Sequence, residues 1–319
     1  MNQAPTISLV IPIHDEEPLI DRLYREVVAA MEPLGLPWEA VFVDDGSRDR
    51  SAELLLAKQA ADKRVVVVRL TRNWGHQPAI AAGLTVARGD AVVLMDGDLQ
   101  DPPSLVPRLV AEWKSGGKVV IAERTSRKEA PLRKLLMATF YRLLGFLSDM
   151  PIPLNSGIFG LLDRQVVDAL NRLEESNRYL PGLRAWVGFP TRVVTYAREA
   201  RAAGEPKQTL FKLTRYALDA IFSFSYKPLR LSLVLGLTAA TVAVIYGIVL
   251  VACRVMGVGM FGIPVVDGYT TTIVSILFLG GTQLICVGIL GEYIGRIYDE
   301  VKRRPLFLIR EVHRSDRDS

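Results

Sequence analysis

Two long runs without charge place the strongest constraint on how this chain can fold. Residues 231–253 and 269–291 each form a run of 23 residues that contains no Asp, Glu, Lys or Arg. As an α-helix each run would be about 35 Å long, whereas the hydrocarbon core of a bilayer is about 30 Å thick. The sequence therefore predicts two transmembrane helices within a membrane domain that spans residues 229–295.

Basic residues flank these two runs on their outer sides. Lys227 and Arg230 precede the first run, and four basic residues follow the second: Arg296, Lys302, Arg303 and Arg304. Because short cytoplasmic segments carry an excess of Lys and Arg, both outer ends are expected in the cytoplasm. The chain is thus predicted to be a multi-pass protein of the inner (cell) membrane. Residues 296–319 form its cytoplasmic C-terminal tail.

Two amphipathic stretches carry basic residues beside their apolar faces. One covers about 131–148 and the other 206–228, directly before the first uncharged run. Such helices suit a membrane interface, although ordinary core helices show the same pattern. The chain has 39 Lys and Arg against 34 Asp and Glu, which would fit nucleic acid, anionic lipid or a phosphorylated ligand. Since basic residues accompany apolar segments, membrane lipids are the expected partner and nucleic acid is not.

The first part of the chain alternates short apolar runs with helical patterns. The apolar runs are 8–13, 40–43, 65–70 and 91–95, and the helical patterns between them are 21–31, 52–61 and 78–87. Strands that are apolar throughout and alternate with helices favour a parallel sheet covered on both faces. The sequence therefore predicts a Rossmann-like α/β domain, mostly parallel, over residues 1–205. In such sheets ligands bind at the carboxyl ends of the strands.

Carboxylates follow two of these predicted strands. Asp96-Gly97-Asp98 comes directly after the apolar run that ends at Met95. Two carboxylates so close repel each other unless protons or a cation compensate, and a hard divalent cation shared with a diphosphate would do so. Turn formation and helix capping are the alternative explanation, above all for Asp44, Asp45, Asp49 and Asp101.

Four motifs taken together resemble a known family. They are Ile11-Pro-Ile-His-Asp-Glu-Glu17, Asp44-Asp-Gly-Ser47, the D-x-D at Asp96 to Asp98, and the run from Gly291 to Pro305. The chain resembles glycosyltransferase family 2, which has the GT-A fold. Within it, the chain is similar to the polyprenyl-phosphate glycosyltransferases, such as dolichyl-phosphate mannose synthase and the bacterial undecaprenyl-phosphate glucosyl and aminoarabinosyl transferases. The resemblance covers nearly the whole chain.

The resemblance implies a donor, an acceptor and a metal. The nucleotide, expected to be UDP-linked, would contact Pro12, Glu16, Asp45, Arg72 and Asp96. Mg²⁺ or Mn²⁺ would be held by Asp98, Asp96 and Gln100, with Asp96 and Asp98 as the catalytic residues. The acceptor would be a polyprenyl phosphate, and the basic residues expected to bind its phosphate are Arg124, Arg127, Arg201 and Lys207. The product would be a polyprenyl-phospho-sugar for cell-envelope glycan or lipid modification.

One segment departs from the related glucosyl transferases. They carry Gly-Asp-Phe-Arg where this chain has Gly157-Ile158-Phe159-Gly160. A phosphate monoester is largely anionic at neutral pH, so it can attack the anomeric carbon with inversion and without a general base. Glucose is the expected sugar, but a 4-amino-4-deoxyarabinose derivative, N-acetylglucosamine and mannose remain open.

Three other classes of protein share some of these features. A noncatalytic membrane scaffold also remains open, and Ile158 favours it weakly. A polymer synthase is disfavoured because Q-x-x-R-W is absent and two spans cannot enclose a channel. A dinucleotide-dependent oxidoreductase is disfavoured because no glycine lies between Pro12 and Glu17.

Small residues along the second run, such as Gly280, Gly281 and Gly288, would suit packing into a homo-oligomer, a dimer or a tetramer.

Overall fold

The structure, a computed structural model, describes residues 5–124, 156–175, 178–196, 227–256 and 268–315. The described residues before 197 and from 303 onwards form one compact unit, and the two long helices that end before residue 303 form a second. The predicted interfacial helix at 131–148 and nearly all of the predicted juxtamembrane helix at 206–228 lie outside the described residues.

The first unit is built on a mixed sheet that has eight strands in the described part of the chain. They are β1 Ile7–Ile13, β2 Trp38–Asp44, β3 Val65–Leu70, β4 Ala91–Leu94, β5 Val119–Arg124, β6 Ser156–Asp163, β7 Thr191–Tyr196 and β8 Ile309–His313. Their order across the sheet is β7-β5-β6-β4-β1-β2-β3-β8. The central strands β4, β1, β2 and β3 are parallel, as predicted from their apolar runs.

Helices follow or join these strands. They are α1 Ile20–Met31, α2 Ser51–Ala61, α3 His76–Val86, α4 Val106–Lys114, α5 Arg164–Asn171 and α6 Leu180–Trp186. The first unit's core lies between sheet and helices, and every residue of β1 and β2 is buried. Helix α3 packs especially closely, because a Cβ on Gly83 would lie 2.3 Å from Val10 Cγ1. This contact brings α3 against β1, and the start of α3 then borders the carboxyl ends of the central strands.

The chain after the second apolar run contributes to the first unit. No secondary structure is predicted from the sequence for 296–319, but β8 pairs antiparallel with the edge of β3. Only five residues long and rich in charge, β8 lacks the apolar run that identifies a buried strand. Its pairing depends on an edge of β3 that no local pattern reveals.

The second unit consists of α7 Lys227–Met256 and α8 Gly268–Val301. Both helices extend beyond the predicted spans 231–253 and 269–291. Each contains a stretch long and apolar enough to cross a bilayer, Ser232–Val249 in α7 and Phe278–Val301 in α8. Cys286 lies between the helices and donates its thiol to the Ser232 carbonyl at 3.4 Å, which agrees with a packing role for this cysteine.

Candidate active site

A pocket of about 290 Å³ opens at the carboxyl ends of β1, β2 and β4. The described residues that line it are Pro12, Ile13, His14, Glu16, Asp45, Asn73, Gly75, His76, Ala79, Asp96, Gly97 and Asp98. Five residues predicted from the sequence are therefore brought together here. Parallel strands that end at one edge of a sheet place the turns that follow them side by side, which explains why distant motifs meet.

Asp45 is held by the loop that follows β3. Its Oδ1 accepts a hydrogen bond from Trp74 N at 2.7 Å, and its Oδ2 accepts one from Gly75 N at 2.9 Å. Burial raises the pKa of Asp45, and the two backbone donors only partly offset that rise. The loop sits directly on the Asp45 turn, since a Cβ on Gly46 would lie 2.5 Å from Asn73 N. Each carboxylate oxygen keeps a second lone pair with which to accept from a ligand.

Two polar side chains for which the sequence predicts no role, His14 and Asn73, also line the pocket. His14 Nδ1 lies 3.0 Å from the Asp45 carbonyl oxygen, and His14 Nε2 lies 2.8 Å from Asn73 Nδ2. A carbonyl oxygen can only accept, so Nδ1 carries the proton and Nε2 accepts from the Asn73 amide. The signal in the sequence that could have identified these two residues is their position just after the ends of strands. Which residues they contact depends on the packing of three separate turns.

The D-x-D carboxylates line the same pocket. Gly97 permits this placement, because a Cβ there would lie 2.4 Å from Ile13 Cδ1. Asp98 Oδ1 accepts from Gln100 N at 3.0 Å, which closes the turn. His76, the first residue of α3, donates from Nε2 to Asp96 Oδ1 at 2.8 Å.

His76 was also missed by sequence reasoning, and the carboxylates around it change its proton affinity. Burial lowers its pKa, but the hydrogen bond to Asp96 and the charges of Asp96, Asp45 and Asp98 outweigh that effect and raise it above its ordinary value. A histidine with a raised pKa adds positive charge to a pocket otherwise lined by carboxylates. The carboxylates still outnumber this one histidine, so the pocket suits a divalent cation, through which an anionic ligand could bind.

Asp96 and Asp98 fit a divalent metal that also binds phosphate. Within the described residues, no group of three or more His, Cys, Asp and Glu side chains is arranged to hold a metal ion by itself. Mg²⁺ is commonly bound through one or two carboxylates and completes its coordination with water and substrate phosphates. Two carboxylates facing one pocket meet that requirement. Gln100 does not line the pocket. Its role as a metal ligand stays a prediction.

The other predicted binding residues lie elsewhere. The guanidinium of Arg72 lies over the Trp74 ring, 3.8 Å from its centroid, and Arg72 does not line the pocket. Arg124 is the last residue of β5 and its side chain is not described. The remaining predicted phosphate ligands, Arg127, Arg201 and Lys207, lie outside the described residues.

The segment that departs from the glucosyl transferases forms part of β6. The carbonyls of Gly157 and Ile158 accept from the buried Arg184 of α6, at 2.8 and 3.2 Å. Burial lowers the pKa of Arg184 to about 10. A Cβ on Gly160 would lie 2.4 Å from the Val120 carbonyl oxygen, so any side chain here requires β5 to shift. An arginine at this position would require the same shift of β5.

Comparisons with known proteins show the family to which the chain is similar. A family model described as glycosyl transferase family 2 matches residues 8–170, and one described as the GtrB C-terminal hairpin matches residues 227–297. The SfII prophage-derived bactoprenol glucosyl transferase of Shigella flexneri is 42% identical, covering 97% of this chain and 99% of its own. The uncharacterized glycosyltransferase YkcC of Bacillus subtilis is 41% identical, covering 98% and 96%.

Among solved structures, glucosyl-3-phosphoglycerate synthase from Mycobacterium tuberculosis, in complex with Mn²⁺ and UDP-glucose, aligns with a TM-score of 0.42 and 23% identity. That alignment covers 68% of this chain and 77% of the synthase. The predicted GT-A fold class is confirmed by the family match, which extends over about half of the chain. With curated relatives matching nearly its full length, the chain belongs to glycosyl transferase family 2 and is a glycosyltransferase.

Proposed function

We propose that this enzyme transfers glucose from UDP-glucose to a polyprenyl phosphate, undecaprenyl phosphate, and inverts the anomeric configuration. The observation that carries the proposal is the pocket in which Asp45, Asp96 and Asp98 face a common space. Further support comes from relatives named bactoprenol glucosyl transferase, which match both the sheet unit and the two long helices. The names of these relatives point to glucose and to a lipid acceptor.

Asp45 would hold the nucleobase. It is buried, and the backbone donors of Trp74 and Gly75 fix the direction of its carboxylate. A fixed acceptor at the end of β2 can receive N–H groups from a base without first reorganising. Pro12 and Glu16 would line the nucleoside, and His14 would keep the Asp45 turn in place through the Asp45 carbonyl.

Asp96 and Asp98 would hold Mg²⁺ or Mn²⁺ against the diphosphate. When bound, this metal would offset the negative charge that develops on the departing nucleoside diphosphate. His76 orients Asp96 through a 2.8 Å hydrogen bond and so fixes one of the two carboxylates. Because the phosphate of the acceptor is already ionised, no carboxylate is needed as a base at the position of Ile158. The enzyme's task is then to position two anions.

The helices α7 and α8 would tether the catalytic unit to the bilayer that contains the acceptor. Both are long and apolar enough to span it, and basic residues such as Arg230 and Arg304 flank them. This distribution supports a cytoplasmic catalytic unit on a two-span anchor in the inner membrane. Arg124, Arg127, Arg201 and Lys207 stay proposed ligands of the lipid phosphate, and subunit association through the spans stays a proposal.

The function can be tested with purified enzyme and radiolabelled nucleotide sugars. With undecaprenyl phosphate and Mg²⁺ or Mn²⁺, label from UDP-glucose should appear in a mild-acid-labile lipid. Asp98→Asn should reduce the rate by at least about a hundredfold, the loss typical when charge stabilisation of a leaving group is removed. Asp90→Asn is the matched control, since Asp90 is exposed and precedes β4 at the opposite end of that strand.

Different outcomes separate the alternatives. If label were transferred from another nucleotide sugar, the proposed reaction would hold but the sugar would differ. The changes at Ile158 and Gly160 are compatible with that outcome. Label in a glycan polymer would contradict the proposed acceptor. No transfer from any donor would favour the scaffold, and an undiminished rate in Asp98→Asn would remove the metal assignment.

A further inference from the structure

The C-terminal strand β8 lies next to the loop that holds Asp45. It pairs with β3, and Thr71 N, directly after β3, donates to the Leu308 carbonyl at 3.0 Å. The chain then runs through residues 71–75, whose last two amides hold the Asp45 carboxylate. Strand β8 therefore braces the start of a loop whose end contacts the proposed nucleobase ligand.

A chain of charges makes a second connection. Glu311 Oε1 lies 2.5 Å from Arg69 Nη1, and Arg69 Nε lies 3.5 Å from Asp44 Oδ2. Asp44 is buried, and its other oxygen accepts from Ser47 N at 3.0 Å. Burying a carboxylate is costly unless a cation or hydrogen bonds compensate, and here Arg69 supplies the cation. Glu311 in turn fixes the guanidinium of Arg69.

Strand β8 is itself firmly attached at its far end. Arg314 reaches Glu39 at 2.5 Å and the Val86 carbonyl at 2.8 Å. Glu39 is almost completely buried and also accepts from Ser8 Oγ and from Arg88 N. A strand anchored in this way can hold a fixed position against β3. It is the C-terminal continuation of the chain after α8.

We propose that β8 holds the donor site in its binding geometry, with Glu311 and Arg69 as positioning residues for the turn that carries Asp45. The proposal rests on the function assigned to Asp45 above. Two connections lead from β8 to that turn, one through residues 71–75 and one through Arg69 and Asp44. Neither Glu311 nor Arg69 lines the pocket, so both act through the Asp45 turn and not on the substrate.

Glu311→Gln is the informative variant. It keeps the shape of the side chain and the β3–β8 pairing but removes the charge that fixes Arg69. Among the described residues Arg69 then keeps Asp44 as its one acidic partner, and the turn at residues 44–47 gains freedom. We expect affinity for UDP in the presence of Mn²⁺ to fall about three- to tenfold, the usual range for loss of one coupled charge contact. The turnover number at saturating donor should stay unchanged.

The matched control is Glu26→Gln on α1. Glu26 pairs with Arg22 at 2.8 Å, and its side chain is 37% exposed, against 34% for Glu311. The same substitution thus removes a glutamate charge of similar exposure away from the pocket, although Glu26 pairs within its own helix and Glu311 also contacts His313 at 3.1 Å. If Glu311 had a purely structural role, both variants would lose thermal stability, and the two variants would bind the donor with equal affinity. Adding Glu311→Gln to Arg69→Gln should cause no further loss, because Glu311 acts through Arg69.

Hydrogen exchange of the full-length protein without nucleotide tests the proposal separately from the donor assignment. Glu311→Gln should speed amide exchange in peptides that contain residues 44–47 and 71–75, and Glu26→Gln should not. Unchanged exchange in both peptides, or equal changes in the control, would overturn the proposal. If wild-type enzyme bound GDP and not UDP, the donor assignment would fail, while the exchange comparison would still decide the role of β8.

Discussion

Asp163 shows how much a single residue can contribute to this fold. It ends β6 and caps α5, where its Oδ1 accepts from Gln165 N at 3.1 Å. Its Oδ2 accepts from Trp113 Nε1 at 2.8 Å and pairs with Lys118 at 3.1 Å. Burial raises the pKa of Asp163, but the hydrogen bonds from Trp113 and Gln165 and the charge of Lys118 outweigh it, so the pKa is lowered.

Substitution of Asp163 should reveal these contributions. Asp163→Ala removes the cap, the indole acceptor and the ion pair, and should cost about 2–3 kcal/mol at neutral pH. Asp163→Asn keeps a capping oxygen and should cost about 1 kcal/mol. Thermal unfolding of both variants, compared with wild type, measures the difference.

The pH dependence of this effect has a defined sign. A lowered folded-state pKa means that the ionised carboxylate stabilises the folded chain above its ordinary pKa of 3.8. This contribution is lost as the pH falls through the lowered value. The difference between wild type and Asp163→Asn should therefore stay constant from neutral pH down to the ordinary pKa of 3.8 and shrink as the pH falls further. A difference that stayed constant below that pH as well would show that charge plays no part.

At the level of elements, β8 is the least expected part of the sheet. Hydrophobic periodicity identifies β1 to β4 because each is buried on both faces, whereas β8 alternates half-buried and exposed residues. Its attachment depends on ionic contacts with residues more than two hundred positions away, such as Arg314 with Glu39. Elements of this kind are specified by their partners and not by their own composition.

Arg314→Met tests how strongly β8 is attached. In the part of the chain that the structure describes, it leaves the buried Glu39 with Ser8 Oγ and Arg88 N as its partners. Removing one member of a buried ion pair commonly costs about 3–5 kcal/mol, and the remaining donors should keep the loss near the lower end. Arg314→Lys retains the charge and should fall between wild type and Arg314→Met. Equal unfolding temperatures for all three proteins would show that the contact between Arg314 and Glu39 does not hold β8 in place.

For the whole molecule, the main division is between a sheet unit and a pair of apolar helices. Large apolar side chains are exposed along both helices, for example Leu233, Val244 and Leu284. A continuous apolar surface on this scale is stable only when lipid or another protein covers it. The bactoprenol glucosyl transferase relatives match along this part of the chain as well.

Val244→Arg tests whether α7 spans the bilayer. Arginine at the centre of a span costs roughly 2.5–3.5 kcal/mol of insertion free energy. Alkaline phosphatase inserted between residues 257 and 267 should be active in the wild type, since it folds only outside the cytoplasm, and less active in Val244→Arg. Val193→Arg is the control, because Val193 is similarly exposed, 53% against 61%, but lies on β7. An inactive wild-type fusion would contradict the two-span topology.

Much of the site could be predicted from sequence because its motifs follow strands. Asp45, Asp96 and Asp98 come directly after apolar runs, and parallel strands bring such positions to one edge. His76 and Asn73 could not be assigned in this way. Their partners, Asp96 and His14, belong to turns that meet only when α3 packs on β1. Hydrogen bonds between separate turns leave no periodic signal in the chain.

The amino-acid sequence by itself determined the central parallel strands, the two apolar helices and the acidic turns at the strand ends. These follow from local patterns of hydrophobicity and charge, which act through burial and need no knowledge of distant partners. Tertiary structure alone decided that the chain after α8 returns to β3 as β8, and that Arg69 links Glu311 to the Asp44 turn. Such contacts join positions far apart in the chain, and their geometry exists only once the sheet has formed.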